Sequence, residues 1–152
     1  MRSHKQFAAL PFRIRGSGLD VLLITTRRKR RWSVPKGWPI GAVKPHRTAE
    51  IEAFEEAGLV GRAKAKPVGR YKHRKDKGKR KIECDISVFP LKVRRQKKAW
   101  PEREQRDAMW LPARKAAARV HKAELSRLIE RFARQKSVKL RPPRSRPRSA
   151  DI

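Results

Sequence analysis

GWPIGAVKPHRTAEIEAFEEAGL, residues Gly37–Leu59, reads as a loop followed by one short helix. Pro45 suits the first turn of a helix and Gly58 the residue just past its end, so the helix is predicted over roughly His46–Ala57. Four of the chain's 14 acidic residues fall on it: Glu50, Glu52, Glu55 and Glu56. Successive helical residues advance by about 100°, which gathers Glu52, Glu55 and Glu56 on one face. Like charges so placed repel, and Glu55 and Glu56 also sit at the negative end of the helix dipole. No Lys or Arg lies between Arg47 and Arg62 to relieve them. A hard cation such as Mg²⁺ or Mn²⁺ would relieve them. A solvated acidic face, eased by basic neighbours elsewhere in the fold, is the other reading of the same spacing.

Outward from this helix the chain alternates short apolar runs with turn signals. Gln6–Ile14 and Leu19–Thr26 read as strands around Gly16-Ser17-Gly18, and Trp32–Val34 as a short extended piece. Two further strands, Lys64–His73 and Lys79–Val93, are expected around the turn at Asp76–Gly78. In the second, Ile82, Cys84, Ile86 and Val88 alternate with polar residues, which makes Cys84 a small core residue. A polar connection over Arg94–Asp107 leads to a short strand, Ala108–Leu111, and a short helix, Pro112–Val120. Leu125, Leu128, Ile129 and Phe132 then fall at helical spacing. The expected organisation is one domain, 1–136, and a basic Pro/Arg/Ser-rich disordered tail, 137–152.

Trp32–Gly37 followed by the acidic helix resembles the Nudix box, G-x5-E-x7-R-E-U-x-E-E-x-G-U with U a bulky aliphatic. Gly37, Glu52, Glu55, Glu56, Gly58 and Leu59 match, and Ala53 stands as a small substitute at U. Val43 replaces the first glutamate and Ile51 the arginine, which in the family partners the catalytic carboxylates; Lys44, His46 and Arg47 are nearby sources of that charge. The resemblance covers about residues 6–134. VLLITTRRKRRWSVPKGWP before the box, and the stretch from Trp100 through Arg106 to Trp110, are similar to the diadenosine and diphosphoinositol polyphosphate phosphohydrolases. The resemblance implies an α/β/α sandwich with a mixed sheet. It implies a metal-dependent pyrophosphohydrolase that cuts a phosphate–phosphate bond in a polyphosphorylated substrate. Glu52, Glu55 and Glu56 would be catalytic and metal-binding, with Glu52 a third ligand or the base, and Glu102 and Glu104 also candidates for the base. Glu55 and Glu56 read as surface carboxylates. Arg27, Arg28, Lys36, Gly37 and Trp38 would bind substrate.

The charge balance agrees with an anionic partner. The 152 residues carry 43 Lys+Arg against 14 Asp+Glu, a formal net charge of +29. Such a surface attracts polyanions. It leaves a second reading open, a nucleic-acid-binding protein on a Nudix scaffold with a degenerate site, using the basic surface and tail. Hydrolysis of an RNA 5′ end joins the two. A single cysteine allows no intramolecular disulfide and suits a reducing cytoplasm. The apolar stretch Phe7–Phe12 is too short for a signal peptide, and no segment has the length of a membrane span.

Overall fold

A computed structural model describes residues 3–140. Eight strands form one sheet: β1 (Ser3–Arg15), β2 (Gly18–Thr25), β3 (Trp32–Ser33), β4 (Lys36–Gly37), β5 (Leu59–Ala63), β6 (Gly69–Lys77), β7 (Arg80–Gln96) and β8 (Ala108–Pro112). The helices are α1 (Pro45–Ala57), α2 (Ala113–Arg119) and α3 (Ala123–Leu140). Strand order along the main path is β3-β2-β1-β7-β5, with β4 also on β1, β6 on β7 and β8 on β2. The long β1–β7 pairing is parallel and the others antiparallel, so the sheet is mixed.

Both faces of the centre are covered, which is why β2 reads as a nearly unbroken apolar run. Leu19, Val21 and Leu23 enter a core shared with α2 and α3, through Ala116, Leu125, Ile129 and Phe132. Leu22 and Ile24 enter a second core with Ala9, Phe89, Leu91 and α1. α1 contributes only Ala49, Ala53 and Ala57 to that core, all without exposed surface. This stripe, at a spacing of four, brings the helix backbone close to the sheet. β7 serves both cores in turn: Ile82, Cys84, Ile86 and Val88 face α3, then Phe89 and Leu91 face α1.

Several expectations change, among them the loop at Lys36–Gly37, which pairs as β4. β5 is a strand where none was expected, because Gly61 interrupts its pattern; a Cβ there would strike the Lys92 carbonyl across the bulged β5–β7 ladder. β6 begins at Gly69 rather than Lys64. β7 continues through Gln96 and shortens the polar connection. α3 runs on through Leu140, past the expected boundary at 137; residues 141–152 of the expected tail lie outside the described residues.

Candidate functional site

The acidic face of α1 is held by three backbone contacts and one arginine. Gly58 ends the helix in the left-handed region, φ 70°, with its N–H on the Phe54 carbonyl. Only glycine fits there, since a Cβ would also overlap the Trp100 ring. The Glu102 N–H donates to the Glu55 carbonyl at 3.0 Å, which ties the loop before β8 to the end of α1 and satisfies one of its orphan carbonyls. Lys36 donates its backbone N–H to Glu56 Oε2 at 3.0 Å, fixing β4 to the helix. At Gly37 a Cβ would overlap the Glu52 carboxyl, so the glycine makes room for that carboxylate.

Arg106, nearly buried, joins these parts. Its Nη2 pairs with Glu56 Oε1 at 3.0 Å and with Glu102 Oε1 at 2.9 Å. Nε donates to Glu102 Oε1 and Nη1 to the Thr25 carbonyl at the end of β2. Glu52, Glu55, Glu56 and Glu102 thus share one region. Glu50 stands apart, paired with Arg47 at 2.8 Å and accepting the Ala63 N–H.

The carboxylates are poised against their own charges. Burial pushes Glu56 up to about 8; Arg106 opposes this and Glu52 adds to it. Glu52 is raised by burial and by the charge of Glu55, while its side-chain hydrogen bond with Glu56 works the other way. A carboxyl pair that shares a hydrogen bond in this setting holds a proton near neutral pH. Burial lowers the ammonium of Lys36, Glu56 opposes it, and Lys75 and Arg106 lower it further. Among the described residues no three His, Cys, Asp or Glu side chains are arranged tightly enough to enclose a metal ion. The chemistry of the donor set nonetheless suits a hard divalent cation: Glu56 and Glu102 meet one guanidinium, and Glu52, interacting with Glu55, Glu56 and Glu102, lies beside them.

No family model matches the chain. Nudix hydrolase 21, chloroplastic, of Arabidopsis thaliana is 30% identical over 133 residues, 84% of this chain and 65% of that protein. Nudix hydrolase 12, mitochondrial, of the same plant is 29% identical over 120 residues, 76% of this chain and 59% of that protein. The crystal structure of the Caenorhabditis elegans Ap4A hydrolase superposes with a TM-score of 0.63 at 15% identity, covering 88% of this chain and 98% of that one. The chain is similar in sequence to these Nudix hydrolases and shares the fold of the superposed structure. It spans about three fifths of the length of the curated relatives it matches. The structural likeness shows the fold, and the α/β/α sandwich with a mixed sheet is the expected one.

Glu56 is not the surface carboxylate expected: it is 4% exposed and anchored on both oxygens. Val43 and Ile51, where the Nudix box has its acid and its arginine, are both solvent-facing, at 37% and 36% exposure. The missing guanidinium comes from Arg106, not from Lys44, His46 or Arg47. Arg27 reaches the rim, 4.0 Å from Glu102, while Arg28 is exposed. Trp38 belongs to a neighbouring cavity of about 430 Å³ with His4, Lys5, Pro39 and Lys77. Of the two further candidates for the base, Glu102 lies in the cluster and Glu104 is exposed on a 3₁₀ turn. The only signal for Arg106 in the sequence was its position between Trp100 and Trp110.

Proposed function

We propose that the chain is a metal-dependent pyrophosphohydrolase acting on a polyphosphorylated nucleotide, a dinucleoside polyphosphate above all. The observation that carries this is the Glu52–Glu56–Glu102–Arg106 cluster with Lys36 and Arg27 beside it. Glu55 and Glu56 would hold Mg²⁺ or Mn²⁺. When bound, such a cation neutralises charge on phosphate oxygens and lowers the pKa of a water. Glu52 takes the proton from the attacking water, its raised pKa suiting a base near neutrality. The new P–O bond forms as the bond to the leaving phosphate breaks, and that phosphate departs with the electron pair. Arg106 bridges Glu56 and Glu102, and Lys36 offsets charge on the leaving group.

The nucleoside end is supported by the cavity at Trp38. Its indole stands edge-on to His4, centroids 6.1 Å apart, with the Lys75 ammonium 5.6 Å from the ring centroid. A flat apolar face flanked by cations suits a base and its phosphates. A diphosphoinositol polyphosphate carries a saturated ring and no aromatic base for Trp38 to stack on. The C. elegans neighbour is an Ap4A hydrolase by name, which agrees with this choice. The test is phosphate release from dinucleoside polyphosphates, diphosphoinositol polyphosphates and 5′-triphosphorylated RNA, with Mg²⁺ or Mn²⁺. Turnover that Glu55→Gln and Glu56→Gln both nearly abolish is expected. No release from any of them, together with salt-dependent RNA binding, would favour the nucleic-acid-binding reading instead.

A further inference from the structure

On the α3 side of the sheet a second cavity, about 390 Å³, lies between β6, the β2–β3 loop and the turn from α2 into α3. Its walls are rich in cations: Arg31 from the loop, Lys72 and Arg74 from β6, Lys122 from the turn. Two acids line it as well, and both are engaged with one residue. Glu83 pairs with the Lys72 ammonium at 3.4 Å, and Glu124 accepts the Lys72 backbone N–H at 3.2 Å. Arg31 and Lys122 have no carboxylate within ion-pair distance among the described residues. Beside them sits His73, half-buried, whose Nδ1 is fully enclosed and has no hydrogen-bond partner. Burial, then Lys36, Lys122, Lys75 and Lys29, push His73 down to about 4, so its imidazole is neutral.

A buried nitrogen without a partner needs explaining. Water could bond the nitrogen but would leave the charges of Arg31 and Lys122 on the cavity wall uncompensated. An anion answers both. The cavity is also linked to the candidate active site by two paths. The Lys36 ammonium acts on Glu56 and on His73 alike. The β2–β3 loop carries Arg27 beside Glu102 at one end and Arg31 in this cavity at the other.

We propose that this cavity is a phosphate site, with His73 as hydrogen-bond donor and Arg31 and Lys122 as the charges. It would seat a non-reacting phosphate of the substrate whose scissile bond lies at Glu52 and Glu56. The identity of that anion rests on the proposed function; the existence of the site does not. The probe is inorganic tripolyphosphate, titrated into metal-free full-length protein at fixed ionic strength. The readouts are the ring-proton NMR signals of His73 and the heat of binding.

The expected result is a saturable shift of the His73 signals. Arg31→Ala combined with Lys122→Ala should weaken binding by about tenfold or more, two charge-assisted contacts being lost. Both side chains lie at the surface of the cavity, so the backbone spectrum should stay native. Glu52→Gln should bind at least as tightly as wild type. Unmoved His73 signals, or equal affinity of the double variant, overturn the proposal. So does a His73 response to a short single-stranded RNA with none to tripolyphosphate. The two readings fail separately. A protein that responds at His73 but hydrolyses nothing loses only the proposed function. One that hydrolyses dinucleoside polyphosphates with His73 silent loses only this site.

Discussion

Ile51 stands where the Nudix box has an arginine, and Arg106 reaches the carboxylates of α1 from the loop before β8. A guanidinium suits this place because one group meets Glu56, Glu102 and the Thr25 carbonyl in a single plane. Arg106→Ala would strand a buried carboxylate, so a loss of about 3 kcal/mol is expected along with activity. Arg106→Lys keeps the charge without the fork, and about one-tenth of wild-type kcat should survive. Thermal unfolding and steady-state rates read these out. Ile51→Arg should change little, since the role is filled. Glu56 has a second consequence. Its pKa of about 8 means that the metal-free pair with Glu52 carries a proton at pH 7. A cation must displace it, so Mg²⁺ binding should release about one proton. Calorimetry in two buffers of different ionisation enthalpy measures this directly, and zero release refutes the shared proton. The sign for stability follows from the same shift. A carboxyl raised above its unfolded value favours the fold at low pH, so metal-free stability should fall between about pH 4.5 and 8.

Among the elements, α1 and its preceding loop act as one rigid piece. The alanine stripe sets the height of the helix over the sheet, and Gly37 lets Glu52 lie against β4. Gly37→Ala would force that carboxylate aside while leaving the alanine stripe packed. Activity should therefore drop about a hundredfold, with a melting temperature only a few degrees lower. An unchanged rate would show that the Glu52 position is not critical. This piece was legible in the sequence because its signals are local: Pro45, Gly58 and the spacing of Glu52, Glu55 and Glu56 lie in one window. β2, β7 and α3 were legible for the same reason, through their apolar period. β5 was not, because glycine and arginine break its alternation and its pairing with β7 is long-range. Arg106 escaped because an ion pair between distant segments leaves no periodicity. The burial of Glu56 escaped because β4, two residues long, covers it through the Lys36 N–H.

Across the whole molecule the excess of 43 basic over 14 acidic residues acts in two ways that salt can separate. The summed field draws in any anion and raises the rate at low substrate concentration. That field reaches about 30 Å at 0.01 M salt and about 8 Å at 0.15 M, so it fades on going to physiological ionic strength. Cations placed inside a site act at contact distance and are screened less. Catalytic efficiency should therefore climb with phosphate number across a dinucleoside series at both ionic strengths. The climb should be steeper at low salt, where the field and the site both contribute. What persists at high salt reports cations acting at contact distance, Lys36 and Arg27 near the carboxylates and Arg31 and Lys122 in the second cavity. Removing Arg31 and Lys122 should flatten the high-salt series for the longer members and leave the shortest unaffected, since a short phosphate chain ends before it reaches them. A series flat at both salts, or a preference for ADP-ribose at both, would exclude the polyphosphate assignment and leave only a diphosphate hydrolase of broader class.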